Sequence, residues 1–190
     1  GSVSCWGDND YGQLGDGTWT DRHTPTPTSS LGAGRTAVAL TAGYYHTCAI
    51  LDDGSVSCWG DNDYGQLGDG TTTGRSTPTP TSSLGANRTA VSISGGPYHA
   101  CAILDNGSVS CWGDNDYGQL GDGTTTDRHT PTPTSSLGAG RTALIVDGDS
   151  DGDGVLDHFD DFEGNPIRSV SCSAGQYGRY LCVDADAGYY

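Results

Sequence analysis

The first chemistry the chain offers is a set of carboxylates spaced for a hard cation. Asp149, Asp151 and Asp153 alternate, Gly154 follows, and Asp157 and Asp160 come after. With Asp149 as loop position 1, carboxylates fall at 1, 3, 5, 9 and 12, a glycine at 6, and the Val155 carbonyl at 7. That is the spacing of an EF-hand-type loop, with Asp160 in place of the bidentate Glu. Oxygen ligands at this density favour Ca²⁺ over softer metals. Asp147, Asp161 and Glu163 could hold a second ion. Charge runs are more often solvated linkers, and that is the competing reading. The glycine in register with the carboxylates tips the balance to calcium.

The cysteines are the second chemistry. Cys48 and Cys58 flank Asp52-Asp53-Gly54. If that triplet is a three-residue hairpin turn with Gly54 left-handed, residue 51 pairs with 55 and Cys48 with Cys58. Facing side chains on neighbouring strands permit a disulfide. Cys101 and Cys111 repeat the arrangement around Asp105-Asn106-Gly107. Two reduced, buried thiols are the alternative, but the recurrence favours disulfides and hence an oxidising, extracellular setting. Cys5 occupies the place of Cys58 and Cys111, and Cys182 that of Cys48 and Cys101. They could bond within one chain or between neighbours. Cys172 is left over, either as a buried thiol or as a rival partner for Cys182.

Nucleophilic catalysis finds no support. The same Ser and Asp residues recur in every copy of a repeat, whereas a catalytic site usually occurs once. His46 and His99 fall at a repeated position and read as structural. The chain is not expected to be an enzyme.

These groups are positioned by a repeat. Gly1-Ser2-Val3-Ser4-Cys5-Trp6-Gly7 recurs at 54–60 and at 107–113, an offset of 53 residues each time. Residues 1–53 and 54–106 agree at 42 of 53 positions, loops included, which points to recent duplication rather than to packing constraints. The units are 1–53, 54–106 and 107–190, the last carrying the acidic insertion at 147–166. Ser-Val-Ser-Cys-Trp alternates polar and apolar as a strand does, and Ala37–Leu40 and Cys48–Leu51 are further short apolar runs. Pro25 and Pro27 lack N–H donors, so their stretch is a loop or a sheet edge. No segment has a 3.6-residue period. The expected class is all-β, with each unit the length of a four-stranded propeller blade.

Trp6-Gly7-Asp8-Asn9-Asp10-Tyr11-Gly12-Gln13-Leu14-Gly15-Asp16-Gly17 and Ala42-Gly43-Tyr44-Tyr45-His46-Thr47-Cys48-Ala49-Ile50 resemble the two signatures of the regulator of chromosome condensation repeat. The resemblance covers nearly everything outside 147–166. It implies β-propeller blades, usually seven to a ring. The exported, alpha-tubulin-suppressor-like branch, in which the propeller serves as a binding surface, is the nearer comparison. The acidic loop is similar to those of thrombospondin type 3 repeats and dockerins.

Composition bounds the partners. The net charge is −16, and all 8 basic residues are Arg. So acidic a chain repels phosphate backbones, which argues against nucleic acid. No apolar run approaches the ~20 residues of a membrane span. Asn87 and Asn106 head N-glycosylation sequons. Trp6, Trp59 and Trp112 read as blade core, and Trp19 as a contact.

Three blades are too few for an ordinary closed propeller. The complementary halves at the two ends therefore suggest completion by a neighbour, as a head-to-tail homo-oligomer or filament stabilised by Ca²⁺ and disulfides. A binding or adhesion module of a longer secreted protein is the alternative. Calorimetric titration with CaCl₂ should show saturable binding, and Asp149→Ala with Asp153→Ala should remove its heat; an unchanged isotherm in that double variant would refute the loop assignment.

Overall fold

The computed structural model describes residues 1–139, 141–143 and 180–184, the last five as backbone. The calcium-type residues Asp147 to Glu163 and Cys172 lie outside the described residues. Among these there are eleven strands and no helix.

The hairpin derived from the Asp-Asp-Gly triplet is present. Gly54 adopts φ 75°, the left-handed conformation that favours glycine. Its N–H bonds the Leu51 carbonyl at 2.8 Å, and the Leu51 N–H bonds the Ser55 carbonyl at 2.8 Å. This turn joins β4 (His46–Leu51) to β5 (Val56–Gly60) with Cys48 opposite Cys58. The register of β8 (His99–Leu104) with β9 (Val109–Gly113) puts Cys101 opposite Cys111 in the same way. Both pairs are disulfide-bonded.

Each complete sheet straddles two repeats. β3 (Ala37–Ala42) and β4 come from repeat 1, and β5 and β6 (Arg75–Pro80) from repeat 2. β7 (Ala90–Gly95) and β8 combine likewise with β9 and β10 (Arg128–Pro133). The remaining sheet has the order β11-β1-β2, with β1 at Val3–Gly7, β2 at Arg22–Pro27 and β11 at Tyr180–Asp184. β1 and β11 pair antiparallel with Cys5 opposite Cys182, and Cys5 is disulfide-bonded. The two halves expected to be completed by a neighbouring molecule thus meet in one chain. Pairing them internally satisfies the N–H and C=O row of β1 that would otherwise stand open.

The Thr-Pro strands β2, β6 and β10 form the outer edges. Proline cannot donate to a further strand, so these edges resist lateral pairing.

The core lies between the sheets. Val3, Cys5, Leu14, Ala37, Ala49, Leu51 and Trp59 form one buried cluster, between the first and second blades. Cys48, Ile50, Val56, Cys58, Leu67, Ala90, Ala100 and Trp112 belong to the next, between the second and third. Each joint is locked by one tryptophan. The Trp59 indole lies over Gly15, where a Cβ would sit 2.6 Å from Nε1, and Trp112 lies over Gly68, where a Cβ would sit 2.9 Å from Cδ1 and Nε1. Trp59 Nε1 donates to the Gln13 carbonyl at 2.9 Å, and Trp112 Nε1 to the Gln66 carbonyl at 3.0 Å. Burial of the largest side chain with its one donor satisfied makes this contact the main source of blade adhesion.

The third copy of the glycine is different. A Cβ on Gly121 would meet only Thr134, at 3.8 Å. Gly68→Ala and Gly121→Ala share the cost of a left-handed alanine, about 1–2 kcal/mol. Only Gly68→Ala must also displace an indole, adding about 1–3 kcal/mol. Urea denaturation should therefore rank Gly68→Ala as clearly less stable than Gly121→Ala; equal midpoints would contradict the Trp–Gly joint.

Candidate protein-binding face

The loop after each Trp-Gly is built around a buried asparagine. Asn9 Nδ2 donates to the Thr18 and Thr20 carbonyls, both at 3.1 Å, and Asn9 Oδ1 accepts from the Leu14 N–H at 3.0 Å. Asn62 and Asn115 make the equivalent bonds in the other copies. Gln13 Oε1 accepts from the Tyr11 N–H at 2.9 Å, and Gln66 Oε1 from the Tyr64 N–H at 2.9 Å. Satisfied amides bridging a loop from inside hold it as firmly as a sheet would. The tyrosines are thus presented on fixed supports.

Those tyrosines converge with others from the turns before β4 and β8. Tyr11 stacks on Tyr45 with ring centroids 4.5 Å apart, and Tyr64 meets Tyr98 at 5.3 Å. Tyr44 lies edge-on to Tyr98 at 5.7 Å, and Tyr45 is 6.3 Å from Tyr98. The five rings form a continuous, partly exposed array that crosses both blade joints. Their spacing is that of interacting aromatic pairs.

Carboxylates flank the rings. Asp8, Asp10 and Asp21 bring oxygens within 4.8 Å of one another, as do Asp114, Asp116 and Asp127. In the second copy Gly74 stands where the other copies have Asp21 and Asp127, leaving Asp61 and Asp63. Burial, aided by the like charge of Asp63, pushes the Asp61 carboxyl above the usual range. Burial first, then Tyr45, Tyr64 and the Asp61 charge, raise the Tyr98 phenol. On the flank of each loop an Arg–Asp pair closes the turn: Arg22 with Asp16 at 2.6 Å, Arg75 with Asp69 at 2.9 Å and Arg128 with Asp122 at 2.6 Å. Hydrogen bonds led by the Thr124 hydroxyl hold Asp122 down to about 2. These arginines are engaged, so the face itself is acidic and aromatic.

The expected site residues fall as follows. The disulfide cysteines Cys48, Cys58, Cys101 and Cys111 are brought together, and Asn87 and Asn106 are exposed in turns. Trp19 is exposed, and Trp59 and Trp112 are buried as blade core. Sequence reasoning placed the acidic chemistry in 147–166 alone. It passed over the recurring Asp-Asn-Asp-Tyr followed at a distance by Asp21 or Asp127, which was the available signal for this face.

His46 follows Tyr45 into the core. Burial first, then the nearby His99, pushes its pKa down to about 4, and burial lowers His99 as well. The folded state holds His46 neutral, whereas the unfolded chain takes up its proton near 6.5. Stability is therefore full above about pH 6.5 and is lost as the pH falls toward 4. Thermal melts between pH 7 and 4 should show that decline, and a His46→Gln variant should show a shallower one; identical slopes would count against the assignment.

Comparison with known proteins gives a consistent picture. The model of the regulator of chromosome condensation (RCC1) repeat matches residues 1–50, 53–103 and 106–149. The E3 ubiquitin-protein ligase HERC2 of Homo sapiens is 33% identical over 150 residues, which is 79% of this chain and 3% of that protein. The ultraviolet-B receptor UVR8 of Arabidopsis thaliana is 33% identical over 146 residues, 77% of this chain and 33% of the receptor. The chain thus spans a third or less of the length of these relatives. Among solved structures, Prp20p of Saccharomyces cerevisiae superposes with a TM-score of 0.62 at 24% identity, over 73% of this chain and 35% of that one. That likeness bears on the propeller fold alone.

Proposed function

The chain belongs to the regulator of chromosome condensation (RCC1) repeat family, and from that premise we propose that it is an exported, disulfide-stapled propeller segment that binds a basic protein segment across its tyrosine face. The array of Tyr11, Tyr44, Tyr45, Tyr64 and Tyr98 between carboxylates carries this reading. Phenol faces attract Arg and Lys through their quadrupole, and the adjacent Asp residues add Coulomb attraction. A net charge of −16 steers cations toward the whole surface and repels anions. Tyrosine also suits recognition because it supplies contact area at little conformational cost. The role is that of a binder rather than a catalyst.

An extracellular location is supported by the two hairpin disulfides, which persist in oxidising compartments. Calcium remains part of the proposal on the spacing of Asp149, Asp151, Asp153, Asp157 and Asp160 alone. Its expected role is to hold the acidic loop in one conformation.

The test uses an Arg/Lys-rich 12-residue peptide and a neutral peptide of equal length as probes in calorimetry. The basic peptide should bind and weaken steeply with salt, while the neutral one does not. Tyr45→Ser with Tyr98→Ser should weaken binding roughly tenfold, from the loss of about 1–2 kcal/mol of cation–π attraction. Equal binding of both peptides, or an intact affinity in the double variant, would overturn the reading.

A further inference from the structure

The copied sequence is broken at one place on the surface. Over residues 1–33 and 54–86 the first two repeats differ at three positions: Trp19 against Thr72, Asp21 against Gly74 and His23 against Ser76. The third repeat has Thr125, Asp127 and His129, so Trp19 belongs to repeat 1 alone, and Gly74 and Ser76 to repeat 2 alone. These three meet at the joint between the first and second blades. A Cβ on Gly74 would lie 3.7 Å from Trp19 Cη2. The Ser76 carbonyl accepts the Gly17 N–H at 2.8 Å, two residues before Trp19. Blade adhesion does not call for such a trio, because the joint between the second and third blades forms without it.

Trp19 is 53% exposed, the most of the four indoles. Its backbone is nevertheless clamped: the Asn9 amide holds the carbonyls of Thr18 and Thr20, on either side of it, both at 3.1 Å. The ring is therefore presented to solvent from a fixed support. Its tip reaches the place where the other copies carry their third carboxylate. There Asp21 Oδ1 accepts the Asn9 N–H, and Asp127 Oδ1 the Asn115 N–H, both at 2.8 Å. With Gly74 at that place, Asp61 Oδ1 accepts the Asn62 N–H instead, at 2.8 Å, and Asp61 is drawn into the interior. Asp63 stays exposed, and among the described residues no arginine pairs with its carboxylate. The second loop thus offers an indole edge, an open space over Gly74 and an unpaired carboxylate.

We infer that Trp19, Gly74 and Asp63 form a subsite selective for one arginine side chain of the bound basic segment, an inference that rests on the reading of the tyrosine face given above. The guanidinium plane stacks on the indole over Gly74, and Asp63 balances its charge. Arginine is favoured over lysine because its flat, weakly hydrated head stacks on aromatic faces, whereas an ammonium is a compact, strongly hydrated point charge. Tryptophan is the ring that holds cations best. The second joint lacks the ring: Thr72 stands in the place of Trp19, and Asp114, Asp116 and Asp127 lie together. That joint attracts any cation by charge alone. The two joints are alike in their tyrosines, Tyr11 with Tyr45 and Tyr64 with Tyr98, yet differ in the cation they select. A segment crossing both is thereby set with its arginine at the first. The rival occupant of an exposed indole is a neutral sugar ring; the adjoining carboxylate and the net charge of −16 favour the cation.

Calorimetry on the full chain with two 12-residue probes tests the inference: a lysine-rich peptide, and the same peptide with its central lysine replaced by arginine. Wild type should bind the arginine peptide about threefold tighter. Trp19→Thr installs the residue that the other two copies carry, so the loop keeps a side chain it already accepts. It should bring the ratio of affinities to about one. Adding Thr72→Trp and Asp127→Gly to that variant rebuilds the pair at the second joint and should restore the preference. In wild type the arginine peptide should also shield Trp19 from acrylamide quenching, a signal absent from Trp19→Thr. Equal binding of the two peptides by wild type, a preference that survives Trp19→Thr, or one that the rebuilt pair does not restore would overturn the subsite and leave the basic-segment reading standing. Binding of neither peptide would overturn both. Shielding of Trp19 by cellohexaose but not by the arginine peptide would assign the indole to a glycan and overturn the inference as well.

Discussion

The rest of this structure depends on an indole laid flat over a glycine. Trp59 on Gly15 and Trp112 on Gly68 fix the distance between blades, because no side chain could stand between ring and backbone. The same contact supplies the buried donor with its acceptor, the carbonyl of Gln13 or Gln66. The Asn9 and Asn62 networks hold those carbonyls in place from below. Loop, blade spacing and face are therefore one mechanical unit. Shifting the indole would move the glutamine, and with it the tyrosine whose N–H that glutamine bonds.

The functional face follows from this spacing. Tyr11 belongs to one blade and Tyr45 to the next, and they stack only because the joint brings their loops to contact distance. Tyr64 and Tyr98 repeat the arrangement one blade on. Carboxylates collect along the same rim, since Asp8 and Asp10 precede Tyr11 in the same loop. An aromatic, acidic strip is thus an outcome of repetition rather than of any single residue. Its opposite in charge is a basic segment, and its shape is extended.

Much of the fold was legible from local signals. Period-2 strands, the left-handed glycine of the Asp-Asp-Gly turn and the cysteine spacing lead to the observed registers, because all three act over a few residues. The pairing of β1 with β11 was not decided by such signals. Cys5 and Cys182 announced complementary strands, but spacing along a chain does not say whether complementary edges meet in one molecule or two. The face was missed for a related reason. Each tyrosine alone looks like a repeat signature, and only the joint between blades makes neighbours of residues 34 apart, such as Tyr11 and Tyr45.

The clearest division lies in two nearly identical strands. His46–Leu51, HTCAIL, is buried at every position, whereas His99–Leu104, HACAIL, alternates half-buried and buried. The sequence by itself determined that both are strands, that both carry a cysteine opposite its partner, and that both belong to a repeat. It could not distinguish their environments, since the residues are almost the same. The stacking decided that: among the described residues, β4 has another blade packed against each face of its sheet, and β8 against one face. Burial is a property of what packs against a residue, and a repeated sequence leaves that to position in the stack.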